Sequence, residues 1–451
     1  MPILMAAALL ALGASPVPAA IAPPPAQAAP ETPPLSAETA AFIRRHTYNL
    51  DFADGRISGP GAELLLREGA STQFFMLAEY VSHIDHASPL FMAALFDALH
   101  RAHGFNYVAV EQDPFGTQLA SSPPHRGNLD ALAEQARLYP YAFTFVNDEE
   151  LRMFAAVGRS STGRWRPVWG VDQVFGASLP LDELRRLAPN PQAREAAERL
   201  LQEAKRHEVR VPDFGDWRGT RDFTTGHFVS SHSTENIEAF ADLRRRFSPR
   251  PGSRADELIR GLELSSRIYS YNRRAHELGP TGEPLGYHSN AIREQLMKDN
   301  FLANYREAER RDRRLPRVVV KAGTNHLVRG RNFTNIHSLG NMLSEFAITN
   351  RMQALTIVLA PLRFEWPSFD KMPGELQTLL QSRDLGATAI VDLRPLRAHL
   401  HAGERFGLTG DALRDLRFLV FGTDFVLFMP SRNGRFSLTA PDAGRPAQPR
   451  R

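Results

Sequence analysis

The chain has no cysteine in its 451 residues. That excludes disulfides, thiol catalysis and cysteine-ligated zinc. It is compatible with an oxidising compartment, where a stray thiol is a liability. Nor is there a basic stripe interleaved with aromatics. Lys plus Arg is 54 against 50 for Asp plus Glu, a formal charge of +4, and the arginines are scattered or clustered on helical stretches such as EAERRDRRLPR. This argues against a nucleic-acid partner. No G-x-G-x-x-G, P-loop, nucleophile elbow or H-E-x-x-H occurs, which argues against a dinucleotide enzyme, a P-loop NTPase and a serine α/β-hydrolase. No apolar run is long enough for a stable membrane span, and no fixed-period repeat is present.

What the chain does have is the balance of a soluble globular protein, 43% apolar and 23% charged. Residues 1–30 read as a signal peptide and Pro/Ala-rich leader. MPILMAAALLALGASPVPAA is apolar, then rich in small residues, with an A-x-A-like site near Ala26-Gln27-Ala28. No Lys or Arg precedes Arg44, so the n-region lacks the usual basic residues. The expectation is a periplasmic or secreted protein, the alternative a disordered leader. The tail, 441–451, reads as disordered. Between them, 35–440 reads as a single α/β domain.

Strand and helix patterns alternate. TQFFMLAEY, FNYVAVEQD and RPVWGVDQV read as strands, with helices at SPLFMAALFDALHRAHG, NLDALAEQARLYP and NDEELRMFAAVGR. Residues 181–314 read as a helical insertion, or cap. The strands then resume with RVVVKAG, ALTIVLAP and TAIVDL, and FLVFGTDFVLFMP reads as a hairpin divided at Gly-Thr-Asp. The predicted fold class is therefore α/β, with a mostly parallel central sheet flanked by helices and a helical insertion.

In open parallel sheets, ligands collect at the carboxyl ends of the strands. Polar residues rank by that rule. Glu79 closes the first strand, with His83, Asp85 and His86 just beyond. Glu111 closes the second, with Asp113 close by, and Asp172 closes the third. Lys321 lies at the end of the later strand, followed by Asn325, His326 and Arg329. A carboxylate at a buried strand end must find a partner or cost several kcal/mol. It serves a salt bridge or a site, and both readings stay open for each residue.

Taken in order, these stretches resemble the erythromycin esterase-like and Tiki/TraB superfamily. LAEYVSHI stands where that group has a G-E-x-x-H-G-type motif, YVAVE matches its strand ending in Glu, and WGVD its glycine–aspartate strand. REQLMKDN, through Arg293, Glu294, Met297 and Asn300, matches a helix motif of the esterase-like members. KAGTNHLVRG matches their Lys-ended strand and His-bearing loop. The resemblance implies an exported hydrolase of a small-molecule or peptide substrate. In that scheme His83 activates water, Glu79 and Glu111 orient it or take up its proton, and Arg293 and Lys321 stabilise an oxyanion. His326 forms part of the catalytic wall, and His86, Asp85, Asp172, Asn325, Arg329 and Asn300 surround it. The Tiki branch implies instead a divalent metal (Mn, Co, Fe or Zn) on His83, Glu111 and His326. Three departures are visible: Ala78 replaces the family glycine, the spacing from Glu79 to His83 is longer than the motif's, and the esterases' His-Asn-x-His is reduced to Gly-Thr-Asn-His. They keep an alternative open, a non-catalytic metal- or haem-binding protein using the same cleft.

Overall fold

The computed structural model describes residues 37–79, 86–143, 147–161, 163–208, 228–361, 388–430 and 437–438. The leader, the tail, His83 and Asp85 lie outside the described residues. The described residues form ten strands: β1 Thr47–Asn49, β2 Asp51–Ala53, β3 Arg56–Ser58, β4 Thr72–Glu79, β5 Tyr107–Val110, β6 Val168–Gly170, β7 Val318–Gly323, β8 Gln353–Pro361, β9 Ala389–Asp392 and β10 Phe425–Met429. Eight of them make one sheet in the order β1-β9-β10-β8-β4-β7-β5-β6. The pairs from β10 to β6 are parallel, and β9 is antiparallel to both β1 and β10. The expected mostly parallel α/β sheet is what the chain forms.

The sequence dictates this directly. All eight residues of β4 are buried, as a central strand covered on both faces requires. Alternate side chains point to opposite layers. Phe75, Leu77, Val108 and Val319 pack under the helix Ala87–His103, while Phe74, Met76, Tyr107 and Val318 pack under Glu283–Asp312 and Leu339–Thr349. Phe301 meets Phe74 and Trp169 edge-on, with centroids 5.6 Å away in each case. Each such fully buried ring contributes roughly 2–3 kcal/mol. The helix Ala87–His103 ends as its sequence predicts, with Gly104 at φ 70° accepting the left-handed turn.

Between β6 and β7 the described residues are helical: Ser178–Leu187, Pro191–His207, Phe228–Ser231, Ser233–Phe247, Arg254–Leu278 and Glu283–Asp312. The last of these reaches further than a cap. Its C-terminal half, through Met297, Phe301, Tyr305 and Ala308, covers one face of the sheet.

One expectation fails. FLVFG is not the first arm of a hairpin but the end of a helix, Gly410–Gly422, and only FVLFM is a strand. Asp424, in the supposed turn, is buried and accepts from Arg329, Arg397 and the Thr356 N–H. Those long-range bonds, rather than turn chemistry, fix the chain there.

Candidate functional site

Strands β4 and β7 are neighbours, yet their connections leave to opposite faces. After β4 the chain enters the helix Ala87–His103 on one layer. After β7 it enters Leu339–Thr349 on the other. In open parallel sheets ligands collect at the carboxyl ends of strands whose connections part this way, and the charged side chains gather at that edge.

Two groups form. In the first, Lys321 Nζ lies 3.1 Å from Glu79 Oε2 and 3.3 Å from Glu150 Oε2. Glu150 comes from the helix Asp148–Ser160, whose first turn is three acids, all buried. Burial works against the lysine's charge, but Glu150 and Glu79 hold its pKa above the usual lysine value. Lys321 is thus clamped beneath the rim, which leaves it poorly placed to meet a substrate oxyanion.

The second group is a chain of ion pairs. Arg293 donates through Nε and Nη2 to both oxygens of Asp172, at 2.9 and 2.6 Å, and Nη2 also reaches Glu111 Oε1 at 2.8 Å. The other Glu111 oxygen accepts from the Gly323 N–H at 2.6 Å. His326 sits between Glu111 and Glu294, with Nε2 3.3 Å from Glu111 Oε1 and Nδ1 2.6 Å from Glu294 Oε1. Glu294 is completed by Asn332 Nδ2 and the Leu339 N–H. Ionised carboxylates only accept, so a ring that faces one through each nitrogen needs both N–H groups and is an imidazolium. The pKa follows the same logic. Desolvation disfavours the charged ring, but Glu111 and then Glu294 outweigh it and push His326 up to about 10.

Local sequence explains this placement. Arg293 and Glu294 are adjacent on the helix Glu283–Asp312, so one reaches β5 and β6 while the other reaches the loop after β7. Gly170 allows β6 to approach closely. A Cβ there would lie 2.2 Å from the Asp113 carbonyl oxygen, so only glycine lets the strand deliver Asp172 at this depth.

The remaining sequence-predicted residues divide. Asn300 Nδ2 donates to the Val171 carbonyl at 3.0 Å and steadies the strand beneath Asp172. Asn325 accepts from the Phe333 N–H at 3.1 Å, folding the loop that follows β7. Arg329 is committed to Asp424, at 2.7 and 2.9 Å, and serves the fold. His86 flanks the start of Ala87–His103. Sequence reasoning missed Glu150 and left Glu294 as a motif match without a role.

Two further buried acids flank the site. Asp113 accepts from the Phe115 and Gly116 N–H groups, and Glu208 from those of Ala177 and Ser178. Burial, more than the neighbouring charges, pushes each carboxyl up to about 7. A folded-state pKa raised above the unfolded value adds stability that is full below about pH 4 and lost as pH rises through about 7. Urea denaturation is therefore expected to show stability falling across that window. Asp113→Asn, which can still cap the helix, should flatten the fall and gain on the wild type above pH 7. An unchanged profile in the variant would refute this.

The metal expectation can be tested against the donor set. Both His326 nitrogens already face carboxylates, and a cation at Glu111 would sit against the Arg293 guanidinium. Among the described residues no group of three or more His, Asp or Glu is arranged to hold a metal. Glu111 and His326 do not fit one as they stand.

No family model matches the chain, and no curated protein matches it. Solved structures do. A succinoglycan biosynthesis protein is 13% identical with a TM-score of 0.52, over 89% of this chain and 98% of that one. A Bacillus cereus protein is 13% identical with a TM-score of 0.49, over 88% and 98%. A mutant of the erythromycin esterase EreC, in its open conformation, is 14% identical with a TM-score of 0.48, over 84% and 95%. The likeness is one of fold. No helix of the described residues is long and apolar enough to cross a membrane.

Proposed function

We propose that this chain is an exported hydrolase of carboxylic esters or amides, working at the cleft above β4, β7, β5 and β6. The observation that carries the reading is the state of Arg293. Asp172 and Glu111 clamp one edge of its guanidinium, yet its side chain is 20% exposed and Nη1 has no hydrogen bond among the described residues. A fixed cation with an open donor is what a developing oxyanion needs, and such donors are typically worth about 10²–10³ in rate. Stability alone does not call for this arrangement, since buried ion pairs stabilise no better than apolar packing.

His83 is the proposed base. It follows Glu79, the last residue of β4, by four residues, and LAEYVSHI resembles the histidine-bearing motif of the esterase-like family. An imidazole near its ordinary pKa takes the proton of water as the oxygen adds to the carbonyl carbon. The carbonyl oxygen, now anionic, accepts from Arg293 Nη1. Collapse then expels the alcohol or amine, which leaves with the proton from His83. His326, already an imidazolium, cannot be that base, and it instead offsets the charge of Glu111 and Glu294.

The test is hydrolysis of p-nitrophenyl esters and anilides by the purified chain. His83→Ala is expected to lower kcat about 100-fold or more. A wild type inert towards both substrate types, or a variant as active as the wild type, would sink the reading. In the first case the non-catalytic binding protein takes its place.

A further inference from the structure

The segment before β6 and the end of the helix Glu283–Asp312 meet at the amino ends of β6 and β7. Both strands run parallel to β5, so this is the opposite edge of the sheet from the charged site. Arg164 Nη1 lies 3.3 Å from Asp312 Oδ2, and the Arg311 guanidinium lies over the Trp165 ring, 5.2 Å from its centroid. Arg166 lies over the same ring at 4.9 Å. Six arginines gather here: Arg164, Arg166, Arg310, Arg311, Arg313 and Arg314. Two carboxylates serve them. Glu307 takes Arg310 and Arg311, and Asp312 takes Arg164 and, at 3.9 Å, Arg314. Arg166 and Arg313 make no ion pair among the described residues. Both also sit in the left-handed backbone region, at φ 40° and 52°, where glycine or asparagine is the ordinary choice. The fold thus bears a local cost to keep cations at those two points. Beside them stand the half-buried Trp165 and Leu315, which is 40% exposed.

We propose that this face is a docking surface for an anionic lipid bilayer, independent of what the opposite edge does. Charge complementarity carries the choice. The cations outnumber their acids, and lipid phosphates supply the missing charge in the bidentate geometry a guanidinium favours. Each basic side chain close to such a surface tightens binding about fivefold. The apolar parts fit the same partner. An indole settles at headgroup level, and the arginine stems lie along the acyl boundary while their heads stay wet. A nucleic acid is matched less well, because the Trp165 ring is already engaged by two guanidiniums rather than offered to a base. Docking here leaves the carboxyl edge, with Arg293 and Glu111, turned away from the bilayer.

The experiment is co-sedimentation of the full chain with vesicles of phosphatidylcholine alone, and with vesicles carrying about one third phosphatidylglycerol. The wild type is expected to bind the anionic vesicles at least about tenfold more tightly, and to lose most of that binding at about 0.5 M salt. The double variant Arg313→Asn, Arg314→Gln keeps the left-handed turn and removes two cations. It should bind about 20-fold more weakly, with a Tm equal to or above that of the wild type. If it does not fold, Arg310→Gln takes its place, an exposed position paired only with Glu307 among the described residues, with about a fivefold loss. Equal binding to both vesicle types, or none to either, overturns the proposal. So does a variant that binds like the wild type. Tighter binding to a single-stranded oligonucleotide than to the anionic vesicles, at equal phosphate, overturns it in favour of a nucleic acid.

Discussion

Arg293→Met is expected to cost the fold about 3–5 kcal/mol, the usual penalty for removing one partner of a buried ion pair. The reason lies in what stays behind. Glu111 is 4% exposed and Asp172 1%, and both turn oxygens towards the guanidinium. Without it two carboxylates face each other beside a third, Glu294, with only His326 between them. Met keeps the length and the apolar stem, so the loss is one of charge and hydrogen bonds rather than volume. Arg293→Lys should recover only part of the deficit, because an ammonium cannot span Asp172 and Glu111 in one plane as the guanidinium does. Ester hydrolysis should fall by about 10²–10³ in both variants, since neither presents Nη1 to the carbonyl oxygen. Denaturant titration and steady-state kinetics on the same samples separate the two effects. If Arg293→Met melts with the wild type, the ion-pair chain is not holding the cleft together. If it folds and turns over at the wild-type rate, Arg293 is not the oxyanion donor.

The sequence made half of this arrangement legible. Glu79, Glu111, Asp172 and Lys321 each close an apolar run, and a charge at the end of a buried strand stands out because its neighbours explain nothing about it. Their partners were harder to see. Glu150 stands in an Asp-Glu-Glu run behind Asn147, which caps the helix, and acids there read as complements to the helix dipole. Glu294 lies in a long helix whose polar residues run nearly all round, so no stripe marks which of them turn inward. The contacts that assemble the site span many residues: 121 between Asp172 and Arg293, 242 between Glu79 and Lys321, and 45 between Glu294 and Leu339. Local pattern carries no record of separations that large. The FLVFG stretch failed for the same reason, because Arg329 and Arg397 decide what Asp424 does.

Glu294→Gln is expected to change how stability depends on pH, and the sign follows from His326. Its folded pKa of about 10 stands above the ordinary 6.5, so the ring binds its proton more tightly in the folded chain. The resulting stability is fully present below about pH 6.5 and is lost as pH rises through about 10. At roughly 1.4 kcal/mol per pH unit of displacement, the wild type has at most about 5 kcal/mol at stake across that window. The glutamine keeps the shape and, through Oε1, the bond from the ring N–H, but its amide nitrogen then faces the Leu339 N–H, so that bond is lost at every pH together with one of the two flanking charges. Glu111 alone should hold His326 protonated over a narrower range. The variant is therefore expected to be less stable than the wild type by about 2–3 kcal/mol near pH 7, with the gap narrowing towards pH 10, where the wild-type ring is already about half deprotonated. Asp113 and Glu208 titrate lower, near 7, so the comparison is cleanest from pH 8 upward. Denaturation curves at pH 7, 8.5 and 10 for both proteins give the answer. A gap of constant size would mean that Glu294 fills space and bonds Leu339 but does not govern the charge on His326, and the imidazolium between two carboxylates would then have to be abandoned.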